Sequence, residues 1–262
     1  MSGTNWTYED FKKNFKKKTT LDLDSYKQRQ MERRIRQMMD REGCKSFYDF
    51  YSQLEKDEEF LSRFLTYLTI NTSGFFRDDH VYQNLQNKVL PELLKNHDKL
   101  NLWSAGCSNG EEPYTLALVL EELNALNRVG ILATDFDRKA LERAQEGVFN
   151  FRQVEKVPSR ILERGFTRNG SNYQIKPKYK KIITYKHQDL LKPWPTFKEM
   201  HLILCRNVFI YFKSEIQEEL IKRFVKQLTP GGYLVIGCSE YINEADTYGL
   251  QKVFQAIYNK TK

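Results

Sequence analysis

Acidic side chains placed where two strands should end are the residues best suited to chemistry. The run Ala105-Gly106-Cys107-Ser108-Asn109-Gly110-Glu111-Glu112 sets two glycines four apart and follows them with two acids. Glycines at that spacing let a chain turn tightly with its backbone close to a ligand, although an ordinary strand-to-helix turn has the same pattern. Asp135 comes about 25 residues after Gly110, where an acid closing a second strand can accept both hydrogen bonds of a ribose diol. Glu111 and Glu112 argue against a phosphate cradle, since carboxylates there would repel a pyrophosphate. They suit a ligand with positive charge, while the dipole of a following helix would favour acids at that place on its own account.

Such residues meet only if strands and helices alternate around them. Residues 100–104 read as a strand, 112–126 as an amphipathic helix, 130–134 as a second strand, and 137–145 as a helix stopped by Gly147. Further on, 201–205 reads as a strand, 214–228 as a helix, and 233–237 as a strand after the turn Pro230-Gly231-Gly232. Two last strands are expected at 250–254 and 256–258. The alternation predicts an α/β fold with a doubly wound, mostly parallel sheet, which binds ligands beyond the carboxyl ends of its strands. Residues 173–188 interrupt it with Ile175, Ile182, Ile183, Tyr185 and several lysines, and predict a small antiparallel β insertion over about 166–188. A nucleoside ligand bearing both a sulfonium and an ammonium, S-adenosylmethionine, matches the acidic turn.

The first 70 residues carry no strand pattern. Thr7 can cap a helix with Phe11 and Phe15, a second helix spans about 25–41 before Gly43, and Ser46 and Asp57 can cap two more. These residues predict an N-terminal all-helical domain, followed by a linker over 71–83 and a catalytic domain over 84–262. The formal charge of +8 invites acidic partners without naming one. Cys44, Cys107, Cys205 and Cys238 are scattered and form no CxxC pair, so reduced thiols in a cytoplasmic protein are expected, with no metal site. No apolar run is long enough to span a bilayer, and the polar N-terminus does not read as a signal peptide.

Three blocks resemble the signatures of the CheR family of chemotaxis-receptor methyltransferases: Asn71-Thr72-Ser73-Gly74-Phe75-Phe76-Arg77, Trp103 through Tyr114, and Cys205-Arg206-Asn207-Val208-Phe209-Ile210-Tyr211-Phe212. Gly106 and Asn109 depart from the family's usual loop residues by small or polar exchanges. The resemblance implies the class I S-adenosylmethionine-dependent methyltransferase fold, with S-adenosylhomocysteine as product. It implies that Asn71, Ser73 and Arg77 reach the cofactor, that Gly106 brings the turn's backbone close to it, that Glu112 meets its charged end, and that Asp135 takes its ribose. Asp189 and Leu190 would flank the adenine, and Arg206 and Asn207 would line the pocket. Arg77 and Tyr211 would hold the reacting groups near the transferred methyl.

The implied substrate is a glutamate on the cytoplasmic helical region of a chemotaxis receptor. A glutamate carboxyl ionises near pH 4.3, so no general base is required, and none of the four histidines lies in the three blocks. On the second helix, Arg29, Arg33 and Arg36 share one face and Met31, Ile35 and Met38 the other. The arginine face could simply be solvated; an acidic helix gives it a specific use, and the family's helical domain is implicated in receptor recognition. The short turn Asn169-Gly170-Ser171-Asn172 suggests that no peptide tether is needed. A nucleic-acid methyltransferase is disfavoured by the absence of prolines after Asn207, and a cofactor-binding adaptor without catalysis stands as the other alternative. A monomer that neither binds nucleic acid nor inserts into a membrane is expected.

Overall fold

Side-chain caps written into the sequence start most of the N-terminal helices. The computed structural model describes residues 6–69, 73–195, 197 and 199–261. Thr7 accepts from the Asp10 amide and Asp10 reaches back to the Thr7 amide, a capping box that opens α1 (Tyr8–Thr19). After a single 3-10 turn at Leu23–Ser25 comes α2 (Gln28–Arg41), three residues shorter at its start than the apolar pattern predicts. Ser46 caps α3 (Phe47–Lys56), and Asp57 caps α4 (Glu58–Leu68) through the Phe60 amide at 2.9 Å. Their apolar faces meet in an aromatic core, with Phe50 edge-on to Phe64 at 4.9 Å and Phe11 stacked on Phe15 at 5.4 Å.

The chain falls into two compact units, Met1–Ile70 with Tyr211–Gln217, and Asn71–Ile210 with Glu218–Lys262. The second unit begins with α5 (Asp79–Asn84), a π turn at Leu85–Val89, and α6 (Leu90–Asn96). Pro91 sits at the start of α6, where its missing N–H and bulky ring suit the widened turn before it. Residues 73–83 pack into the second unit. Phe75 is fully buried, edge-on to Phe149 at 4.8 Å and to Phe166 at 5.4 Å, and Val81 and Tyr82 are buried too.

Then the alternation sets in: β1 (Leu100–Ala105), α7 (Glu111–Glu122), β2 (Val129–Asp135), α8 (Arg138–Glu146), β3 (Val148–Asn150), α9 (Phe151–Val154), α10 (Ser159–Gly165), β4 (Phe166–Asn169), β5 (Asn172–Ile175), α11 (Pro177–Lys180), β6 (Ile183–His187), β7 (Met200–Cys205), α12 (Ser214–Gln227), β8 (Leu228–Ile236), β9 (Leu250–Phe254) and β10 (Ile257–Lys260). Among the described residues the larger sheet has seven strands in the order β6-β2-β1-β7-β8-β10-β9. Neighbours from β6 to β8 pair in parallel, and β10 runs antiparallel to both β8 and β9. Every residue of β7 is buried, as for a central strand with both faces covered.

Residues 173–188 do not form one antiparallel insertion. The small sheet is β3-β5-β4, with a hairpin closed by Gly170-Ser171, whereas β6 joins the larger sheet parallel to β2, Ile131 opposite Ile183. Both β5 and β6 carry alternating apolar residues, so local pattern could not assign them to different sheets. The lysines between them lie on the α11 turn, where Lys178 pairs with Glu121. Pro230-Gly231-Gly232 is likewise an irregularity inside β8, whose register against β7 slips between Met200 and Leu202.

Phe75→Ala should destabilise the protein by about 3–5 kcal/mol in equilibrium chemical unfolding. A loss below about 1 kcal/mol would show that residues 73–76 do not belong to the core.

Candidate cofactor site

Parallel pairing brings the carboxyl ends of β6, β2, β1 and β7 to one edge of the sheet, and the site is built from the residues just beyond those ends. After β1, the amides of Gly106 and Cys107 both donate to the Thr134 carbonyl, at 2.8 and 3.0 Å, carrying the β1–β2 ladder into the turn. Gly106 has φ +82°, and a Cβ there would lie 2.8 Å from Val208 Cγ2. Gly110 has φ +93°, and a Cβ on it would lie 2.8 Å from the Ala144 Cβ. Both glycines are therefore required twice over, by backbone conformation and by close neighbours.

The two acids at the start of α7 have different tasks. Glu111 is only 1% exposed, and it accepts from Ser73 Oγ at 2.5 Å and from Gln153 Nε2 at 3.0 Å. It thereby ties the residue 73 segment and α9 to α7. Glu112 accepts from Ser104 Oγ at 2.8 Å and faces Arg206 Nη1 at 3.4 Å. Burial pushes its carboxyl up, against the opposing pull of Arg206, Ser104 and Arg77.

Asp135 closes β2 as expected. Its Oδ2 accepts from the Ser108 amide and its Oδ1 from the Asp137 amide, each at 2.8 Å. Burial raises its pKa to about 6 despite those donors. A carboxylate oxygen can accept more than one hydrogen bond, so capacity for a diol remains. Beside it, the Gln188 amide donates to the Asp135 carbonyl at 2.9 Å, which sets Asp189 and Leu190 just beyond β6. Asp189 accepts from the Leu191 amide at 2.8 Å, and the Leu190 carbonyl accepts from Trp194 Nε1 at 3.0 Å and Arg223 Nη1 at 2.8 Å. Arg223 also stacks 4.0 Å over the Trp194 ring.

Beyond β7, Arg206 fastens the end of the strand to its neighbours. Its guanidinium donates to Tyr82 Oη at 3.1 Å, to the Arg77 carbonyl at 2.7 Å and to Asp78 Oδ2 at 2.8 Å, besides facing Glu112. Burial acts to lower its pKa, but Tyr82, Glu112 and Asp78 prevail and hold it charged. Asn207 follows in the left-handed region, φ +60°, with its amide donating to Glu240 Oε2 at 3.0 Å.

Ser73, Arg77, Gly106, Glu112, Asp135, Asp189, Leu190, Arg206 and Asn207 thus all lie in the larger unit, while Asn71 lies outside the described residues. Tyr211 belongs to the smaller unit, where its carbonyl accepts from the Lys27 amide at 2.9 Å. Arg29, Arg33 and Arg36 are exposed on α2 and Met31, Ile35 and Met38 are buried, as the helical period predicts. The three arginines share the exposed face of α2 with Glu32 and Asp40. Arg36, however, is tied to Glu32 at 2.7 Å and lies 4.7 Å over the Phe47 ring, so its charge is partly spent within the helix. Sequence reading missed Tyr82, Asp78, Ser104 and Glu240. Of these, Ser104 lies within a signature block without a role assigned to it, and Glu240 left a trace as an acid shortly after an apolar strand.

The residues fit S-adenosylmethionine: Asp135 offers acceptors to a ribose diol, and Glu112 with Glu111 gives the β1 turn the negative charge that a sulfonium and an ammonium require. A parallel sheet of this order, with a glycine turn after β1 and an acid closing β2, marks an S-adenosylmethionine-dependent methyltransferase. Residues 71–258 match the family model described as CheR methyltransferase, SAM binding domain, and residues 7–69 the one described as CheR methyltransferase, all-alpha domain. The chain belongs to the CheR methyltransferase family. It is 39% identical over 255 residues to a chemotaxis protein methyltransferase of Listeria monocytogenes, covering 97% of each chain. It is 30% identical to chemotaxis protein methyltransferase 1 of Pseudomonas aeruginosa, covering 100% of each, and 31% identical to that of Borreliella burgdorferi over 92% of this chain and 89% of the relative. Among the described residues no helix is long and apolar enough to cross a membrane.

Because a diol donates to the ionised form of Asp135, affinity for S-adenosylhomocysteine should be flat above pH 7. Below the pKa of about 6 it should weaken by up to about tenfold per pH unit. Calorimetry on the wild type and on Asp135→Asn checks this. The variant should bind more weakly and lose that pH dependence.

Proposed function

We propose that the chain transfers the methyl group of S-adenosylmethionine to glutamate side chains on the cytoplasmic helical region of chemotaxis receptors, forming methyl esters. The observation that carries this reading is the 39% identity to a chemotaxis protein methyltransferase across 97% of both chains. The bound cofactor supplies an electrophilic methyl on a sulfonium. The chain's own task is then one of alignment, because a glutamate carboxylate is already ionised at neutral pH and no proton need be removed.

In this reading Asp135 holds the ribose, Asp189 and Leu190 flank the adenine, and Ser73, Gly106, Glu112, Arg206 and Asn207 shape the pocket around the charged end. Asn71 joins them by resemblance. Arg77, whose charge is felt by Glu112, offers a guanidinium to the incoming carboxylate. Tyr211 offers a hydroxyl near the methyl. A hydrogen bond to the attacking oxygen also weakens it as a nucleophile, so both residues position rather than exchange protons. Arg29 and Arg33 present the charge that an acidic receptor helix would meet, with Arg36 contributing less because Glu32 holds it.

The test is transfer of labelled methyl to a receptor cytoplasmic fragment, with release of the label by mild base identifying an ester. Label that survives base, or enters nucleic acid instead, would refute the proposal. The rate should vary less than about twofold between pH 6.5 and 8.5, and a steep rise near pH 7 abolished by replacing one histidine would contradict the base-free reading. Reversal of Arg29 and Arg33 to Glu should raise KM for the receptor about tenfold or more and flatten its salt dependence, with cofactor affinity unchanged. Methylation that survives those reversals but disappears when the receptor's C-terminal tail is deleted would point to a peptide tether instead.

A further inference from the structure

A half-buried carboxylate outside the three signature blocks holds the turn after β7. Glu240 lies four residues past the end of β8, and its two oxygens gather backbone amides from both strand ends. Oε2 accepts from Gly237 at 2.5 Å and from Asn207 at 3.0 Å, and Oε1 accepts from Ile210 at 3.1 Å. Amides converging after a residue in the left-handed region form a concave anion site, and here the anion is supplied by the chain itself. Burial raises the Glu240 carboxyl while the amides of Gly237, Ile210, Asn207 and Phe209 pull it down.

Gly237 shows how tightly the two ends are joined. A Cβ at that position would lie 2.7 Å from Asn207 Nδ2, 2.7 Å from Glu240 Oε2 and 2.9 Å from the Asn207 amide. Its φ is not in the left-handed region, so the glycine is required by the approach of Asn207 and Glu240 rather than by its own backbone. Asn207 adopts φ +60°, a left-handed conformation that asparagine tolerates better than most residues and that its neighbours can hold in place. The amides gathered around one carboxylate hold it there.

We infer that Glu240 is a positioning residue for methyl transfer: it sets the Arg206-Asn207 turn in the shape that meets the cofactor, acting through the backbone of Asn207 and Ile210. The inference rests on the proposed reading that this turn lines the cofactor pocket. Glutamine at 240 keeps one carbonyl oxygen for Gly237 and Asn207 but turns an amide group toward the Ile210 amide. Alanine leaves all three donors without a partner.

The test compares Glu240→Gln, Glu240→Ala and Asn207→Ala in the full chain, well below each melting temperature. S-adenosylhomocysteine affinity is measured by calorimetry, and kcat and KM with a receptor fragment. The expected result is graded. The Gln variant should bind about threefold to tenfold more weakly, and the Ala variant about tenfold more weakly again, with kcat falling in the same order and KM for the receptor within about twofold. Wild-type affinity in the folded Ala variant would overturn the inference, as would a loss that falls on KM for the receptor alone. If Glu240→Ala does not fold, Gly237→Ala presses on the same turn from the other side with Glu240 intact. It should weaken cofactor binding likewise, and unchanged binding there would overturn the inference. If Asn207→Ala binds the cofactor as the wild type does, the pocket reading itself fails. If Asn207→Ala weakens binding and Glu240→Gln and Glu240→Ala do not, only the role of Glu240 fails.

Discussion

Arg206, with a side chain only 2% exposed, is the charge around which the cofactor edge is assembled. One guanidinium joins the end of β7 to the Arg77 carbonyl, to Asp78, to Tyr82 and to Glu112, so the stretch 77–82 and the start of α7 share a single partner distant in sequence. Among the described residues its buried Nε has no hydrogen-bond partner. Removing the guanidinium would leave the Glu112 carboxylate without its cation, a loss of about 3–5 kcal/mol for a buried pair. The position of Glu112 cannot be separated from that of the residue 77–78 segment, since the same cation fixes both.

The edge is acidic although the chain is basic. Asp78, Glu111, Glu112, Asp135 and Glu240 gather there, answered by Arg206 and Arg77, while the net charge of the whole protein is +8. Asp78 and Glu112 pair with Arg206, whereas Glu111, Asp135 and Glu240 are kept in place by donors that do not neutralise them, a serine hydroxyl with a glutamine amide at Glu111 and backbone amides at the other two. Dipoles fix their geometry and leave the negative potential for the ligand. The overall positive charge lies elsewhere, part of it on the exposed face of α2, so composition alone pointed to the wrong kind of ligand for the pocket.

What could be read in advance was whatever is encoded locally. Thr7, Ser46 and Asp57 announce helix starts because a cap and its amide lie three residues apart. Gly106, Glu112 and Asp135 announce a ligand edge because a strand, a turn and a helix start are contiguous. Arg206 could be singled out only by resemblance, and as a pocket residue, because its partners are about 94 to 129 positions away and nothing in its neighbourhood foretells them. Glu111 looked like an acid favoured by a helix dipole and is a buried acceptor for Ser73 and Gln153. The placement of β6 was illegible for a related reason: which sheet an alternating strand joins is decided by crossover topology and not by its own residues.

The smaller unit takes Tyr211–Gln217 from deep within the second half of the chain. There the Tyr26 and Phe212 rings lie 5.0 Å apart, and backbone bonds run from Lys27 to Tyr211 and from Lys213 to Ser25. The family models divide the chain near residue 70 and give this stretch to the cofactor-binding part. Heredity has less freedom than that division suggests. A recombination joining the first 70 residues of one relative to the remainder of another would carry half of a mated surface and leave its counterpart behind. Residues 23–27 and 211–213 should therefore drift together as lineages diverge, even while the helices around them exchange surface residues freely.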